Sequence, residues 1–184
     1  SADSTINGVT VGKGANSVAT NTAVGANALD DSVTGTHNVA IGNAAMGANT
    51  SGGYNVAVGS LALDANTTAS YNTALGYGSL SANSTGANNT AVGEQALNAN
   101  TTSNNNTALG KSALASNTTG TQNTAVGSLA LDANTTSNNN SAFGTSALGA
   151  NTGSQNTALG SQALLANTTG SDNVAVGMNA LVSN

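Results

Sequence analysis

Few residues of this 184-residue chain carry groups able to do chemistry, and their spacing keeps them apart. The seven carboxylates are scattered. Asp30-Asp31 is the one acidic doublet, and Asp30, Asp64 and Asp132 recur after a leucine without falling in successive repeats. Nothing in that spacing pairs two carboxylates for acid–base work, and a calcium site needs about six or more converging oxygens. His37 is the sole histidine and there is no cysteine, so it has no second such ligand to join it in a zinc site, and no Asp-His-Ser arrangement can be argued from spacing. Gly12-Lys13-Gly14 is too short and wrongly placed for a phosphate-cradling loop. No catalytic residue, no cofactor and no metal is therefore expected. What remains is a column of rings: His37, Tyr54 and Tyr71 hold the same place in three successive repeats, about 4.8 Å apart if each repeat is one rung of a sheet. Such rings are a candidate glycan platform. The plainer account is a ring ladder that stabilises neighbouring coils, since aromatic cross-strand pairs do so without a ligand. Glu94 and Lys111 fall on adjacent rungs, a pair that contributes only about 0–1 kcal/mol when exposed.

The framework for these residues is a repeat. A phrase of Asn, a β-branched or hydroxyl residue, Ala, a large apolar residue and Gly runs Asn21 to Gly25, Asn38 to Gly42, Asn55 to Gly59, Asn72 to Gly76 and Asn89 to Gly93. It continues at Asn106 to Gly110, Asn123 to Gly127, Asn140 to Gly144, Asn156 to Gly160 and Asn173 to Gly177. The step is 17 residues throughout, except for 16 between Asn140 and Asn156. A second phrase, Ala-Leu-x-Ala-Asn, follows in most units, as in Ala62-Leu63-Asp64-Ala65-Asn66. A Gly closes the next turn in several units (Gly35, Gly52, Gly86, Gly120, Gly170), but Ala69, Ser103 and Ser137 also occupy that place, so a positive φ is not required there. The Gly that ends the first phrase never varies, which marks a corner or a close backbone approach.

A Gly in every unit and dense Asn and Thr exclude a continuous helix. Two short strands per unit, separated by polar turns, fit the composition, and units of this size match single coils of a parallel β-solenoid. The expected organisation is an N-terminal lead-in and cap over residues 1–20, then ten coils over 21–184, making an all-β rod on the order of 50 Å long. Alternation along the strand sends Thr22 and Val24 to one face and Asn21, Ala23 and Gly25 to the other. The first set reads as the coil interior and the small set as a tight interchain surface. Two restricted faces imply that both are buried, and hence a parallel homo-oligomer, most simply a homotrimer. On this reading Ala91→Leu or Ala125→Leu disrupts assembly more than Ser128→Leu. Repeating Asn66, Asn83, Asn100, Asn117 and Asn134 are placed to form an amide ladder.

Composition sets the outer bounds. Charged residues make up 5% of the chain, the formal net charge is −5, and Lys13 and Lys111 are the only cations, so no nucleic acid partner is expected. No run is long and apolar enough to suggest membrane insertion by this segment. A start at Ser1 is what a processed product or a fragment would have.

The phrases built as Asn-Thr-Ala-Val-Gly and Ala-Leu-x-Ala-Asn-Thr-Thr-Gly resemble head repeats of trimeric autotransporter adhesins and, more closely, repeats of bacteriophage tail-fibre proteins. Gly8-Val9-Thr10-Val11-Gly12-Lys13-Gly14, leading into Thr20 to Gly25, looks like the start of such a phage array. The resemblance covers nearly the whole chain. It implies a trimeric left-handed β-roll or related triple-stranded fibre, located on a virion tail or a cell surface, with a cell-surface glycan or other host receptor as partner. Attachment in a phage tail fibre is the leading expectation and the head of a bacterial adhesin the second. An ice- or crystal-surface binder is a further alternative, weakened because Thr101 and Thr102 are adjacent and cannot share one face of a straight strand. A passive spacer within a longer fibre is the fourth.

Overall fold

The computed structural model describes residues 3–6, 9–31 and 34–183. Its strands are β1 (Ser4–Ile6), β2 (Val9–Gly12), β3 (Thr22–Val24), β4 (Val39–Ile41), β5 (Val56–Val58), β6 (Thr73–Leu75), β7 (Thr90–Val92), β8 (Thr107–Leu109), β9 (Thr124–Val126), β10 (Ser141–Phe143), β11 (Thr157–Leu159) and β12 (Val174–Val176). All lie in one sheet in sequence order. β3 to β12 pair in parallel with Ala stacked on Ala at every rung, from Ala23 on Ala40 to Ala158 on Ala175. The chain is thus a parallel β-solenoid. At its N-terminal end β1 and β2 pair antiparallel, and β2 runs antiparallel to β3, so a hairpin covers that edge of the stack. The Asp3 carboxylate fastens the hairpin by accepting the backbone N–H groups of Lys13 and Gly14, at 2.8 and 3.1 Å.

Each coil is closed by one strand, not the two expected. The Ala-Leu phrase is a tight turn in which left-handed residues alternate: Leu61 has φ 58° and Leu63 φ 54°, with Ala62 between them. A β-strand sends neighbours to opposite faces. The alternation instead lets Ala62 and Leu63 both point inward, and both are fully buried. The turn's backbone is laddered to both neighbours, since Leu61 N–H donates to Asn43 O at 2.9 Å and Leu63 N–H to Ser79 O at 3.0 Å. The requirement for two adjacent inward residues overrides the strand tendency of the phrase.

The invariant Gly forms the corner between strand and turn. Gly93 has φ 132°, and a Cβ built there would lie 2.5 Å from Gly110 O on the next coil. Both the dihedral and the approach exclude a side chain. Gly52 has no such φ, in keeping with Ala69 at the equivalent place.

The core is narrow. Each rung contributes a strand Ala and in most cases a turn Ala and one Leu, as in Ala57, Ala62 and Leu63, all without solvent exposure; Ser79 takes the place of the turn Ala in one coil. Two Asn columns line the same interior. Asn55 Oδ1 accepts the backbone N–H of Asn72 at 2.8 Å, while its Nδ2 donates to Ala69 O at 2.9 Å. An amide is needed because the position must accept and donate at once, which neither a carboxylate nor an apolar group can do. In the turn column the amides link directly: Asn66 to Asn49 at 2.8 Å, Asn83 to Asn66 at 3.2 Å, Asn100 to Asn83 at 2.9 Å, Asn117 to Asn100 at 3.1 Å and Asn134 to Asn117 at 3.0 Å.

Candidate interaction surface

The strand faces are the reverse of the sequence expectation. Asn and Ala of the first phrase point into the coil, and the β-branched and aliphatic residues point out. Ala91 and Ala125 are fully buried, so a leucine there overfills the coil itself and does not probe a contact between chains. The physical reason is width: with a buried Leu reaching in from the turn, a coil closed by a three-residue strand leaves room at the middle strand position only for Ala.

The outward face carries two columns. One is hydroxyl or valine (Thr22, Val39, Val56, Thr73, Thr90, Thr107, Thr124, Ser141, Thr157, Val174). The other is wholly apolar: Val24, Ile41, Val58, Leu75, Val92, Leu109, Val126, Phe143, Leu159 and Val176. Leu109 is 47% exposed, Phe143 40% and Leu159 51%. Ten rungs at about 4.8 Å make a stripe roughly 43 Å long and, taken about 10 Å wide, on the order of 400 Å² in projection. Sequence reasoning missed this stripe by placing it inside. The signal that could have found it is size: the inner Ala never changes, whereas the outer position ranges from Val24 to Phe143.

The ring column borders this face, two residues before the first outward strand position. His37 and Tyr54 stack with centroids 4.8 Å apart and planes within 2°. Tyr54 and Tyr71 stack at 5.2 Å and 8°. All three are exposed, each in the left-handed region at φ 59°, 59° and 62°. Asn88, Asn105, Gln122, Asn139, Gln155 and Asp172 continue the column with the same backbone. Each ring covers part of its neighbour's face, so a sugar would meet chiefly ring edges and the two end faces. Tyr77, also exposed, stands in the column that follows the corner Gly.

Elsewhere the surface is lightly decorated. Lys111 Nζ lies 3.1 Å from Glu94 Oε2, with both side chains about half exposed or more. Thr67 Oγ1 donates to Ser84 O at 3.1 Å and Thr101 Oγ1 to Thr118 O at 3.2 Å, so this hydroxyl column is used within the rod, while the following column (Thr68, Thr85, Thr102) is exposed. Burial pushes the carboxyls of Asp64 and Asp132 above their usual range. Among the described residues there is no pocket and no group of three or more His, Cys, Asp or Glu side chains placed to share a metal ion. Nor is any helix among them long and apolar enough to cross a membrane. Comparison with protein-family models, curated proteins and solved structures finds no match to this chain.

Proposed function

We propose that this chain is a structural rod segment that assembles side by side with further copies of itself, most simply as a homotrimer, within an extracellular or virion fibre that serves attachment. The observation that carries the reading is the apolar column outside the coil on every rung. A partner for that column must match a repeat of about 4.8 Å over the whole rod. A second copy does so by construction. One such face against another buries about 800 Å² in total, at the weak end for a stable complex, whereas three copies around an axis let each meet two others. The role is mechanical and adhesive rather than enzymatic.

A tail fibre remains the preferred setting, with the head of a bacterial adhesin second and a passive spacer third. A surface-lattice binder fits less well. Its face would need to be flat, and here Val24, Ile41, Leu109 and Phe143 stand at different heights beside the hydroxyl column. Native mass by light scattering, with and without detergent, tests the assembly. A trimer that withstands detergent until boiled is expected, and Leu109→Thr with Leu159→Thr should weaken it while leaving the coil folded. A monodisperse monomer would sink the proposal. Attachment itself is tested by whether the assembled rod binds host cells or virion-receptor preparations.

A further inference from the structure

A repeating face tells copies how to lie together but not at what height. Sliding one rod by a single rung still leaves nine of the ten strands opposite a partner strand. Registers one or two rungs apart are therefore nearly equal in contact, the situation in which strand pairings slip. Something non-repeating must fix the height.

The ring column is that irregularity. It spans only three rungs, near the capped end, and it adjoins the outward face. The face is also at its most apolar there. Val39 and Val56 stand beside His37 and Tyr54, where Tyr71's own rung, β6, and the four after it, β7 to β10, carry Thr or Ser. The rings sit on a backbone better suited to Asn, which fills the same column at φ 59–60° in Asn88, Asn105 and Asn139. Stacking offsets that mismatch within one chain, but it does not explain why two of the three aromatic rungs coincide with the two successive valines of the outward face.

Resting on the side-by-side reading above, we infer that His37, Tyr54 and Tyr71, with Val39 and Val56, form a register key: the rings of one copy pack against the same rungs of its neighbours and hold the rods level. Tyrosines are enriched at protein interfaces and among the residues that anchor them. The exposed edges and hydroxyls suit that role better than they suit a sugar, which stacks on an open ring face.

The test uses the intact chain with a single reporter. The chain has no cysteine, so Thr107→Cys, exposed on the outward face two rungs beyond Tyr71, labels uniquely with pyrene. Excimer emission reports whether the same rung of two copies lies adjacent. The comparison is with H37N/Y54N/Y71N, in which each ring becomes the residue the column carries elsewhere, so the coil is preserved. An assembled wild type with strong excimer, and a variant of the same mass whose excimer falls by roughly threefold as slipped registers share the population, is the expected result. An assembled wild type without excimer overturns the proposal, as does an excimer the variant keeps. If the variant keeps its excimer but loses wild-type retention on immobilised neutral oligosaccharide, the rings are a glycan site instead. A monomeric wild type removes both this inference and the assembly it rests on, whereas the other failures leave the assembly standing.

Discussion

The coils before and after Asn140 differ by one residue, and the molecule absorbs the difference in one place. In regular coils the turn amide does two jobs: Asn117 Nδ2 donates to Asn100 Oδ1 at 3.1 Å and to Gly120 O at 3.0 Å. In the 16-residue coil Asn151 Nδ2 bonds Gly153 O at 2.7 Å, and the link to the coil before is not made. Asn134 Oδ1 is left buried without a partner. Asn151 Oδ1 takes two amides, from Asn156 at 3.1 Å and Asn167 at 2.8 Å, and Thr152 O takes the hydroxyl of Ser137. The strand side is untouched: Ala142 still pairs Ala158, and Asn156 N–H still reaches Asn140 Oδ1 at 2.9 Å. Strand and core are therefore the fixed part of the coil, and the polar turn is the adjustable part.

The sharpest challenge to that contrast is at the corner. Gly93→Ala and Gly144→Ala each place a Cβ about where the next coil's backbone already is, at a φ closed to side chains. Each should cost about 3 kcal/mol or more in chemical denaturation, and by similar amounts, because the short coil leaves the corner intact. A much milder effect at Gly144 would mean that the deletion loosens the strand as well.

Leu97→Ala, removing a fully buried side chain from a regular coil, should cost about 2–5 kcal/mol. The amides then separate the two regions. Asn83→Ala deprives Asn100 Nδ2 of one acceptor and breaks the ladder, at about 1–3 kcal/mol. Asn134→Ala, whose Oδ1 is already unpartnered, should cost clearly less. Equal losses on urea titration would show that the ladder break has no energetic weight. Inserting a Thr between Thr152 and Gly153 restores the 17-residue step; regained amide bonding should add about 1 kcal/mol and raise Tm by roughly 2–4 °C.

The smallest effect concerns Asp64 and Asp132, whose carboxyls burial holds above the ordinary 3.8. The folded state binds their protons more tightly than the unfolded chain does. Their ionisation thus weakens the fold at neutral pH. That penalty fades as pH falls through the raised values and is gone below 3.8. Asp64→Asn should therefore stabilise slightly at pH 7 and flatten the acid side of the stability profile. Asn98 already shows how an amide fits this column, with Nδ2 donating to Ser81 Oγ at 2.8 Å.

Much of the site was readable in advance because repetition converts sequence position into height. Equal spacing alone placed His37, Tyr54 and Tyr71 in one column, Glu94 beside Lys111, and Asn66 to Asn134 in a ladder. The turn was misread as a strand because left-handed φ at Leu61 and Leu63 is a choice that leucine does not advertise. It follows from the need to bury Ala62 and Leu63 together, which is a property of the closed coil.

The sequence by itself determined the period, the strand at the Asn-x-Ala phrase, the glycine corner and the amide columns, since each depends on which residues recur and at what interval; that the Ala-Leu phrase is a turn and not a second strand came from the tertiary structure. Only the tertiary structure decided which face is inside. Alternation along a strand is symmetric: it separates Ala23 from Thr22 and Val24 without saying which side meets the core. The width of the closed coil breaks that symmetry, admitting Ala and Asn opposite the turn and sending the larger residues out to form the surface on which the proposed assembly rests.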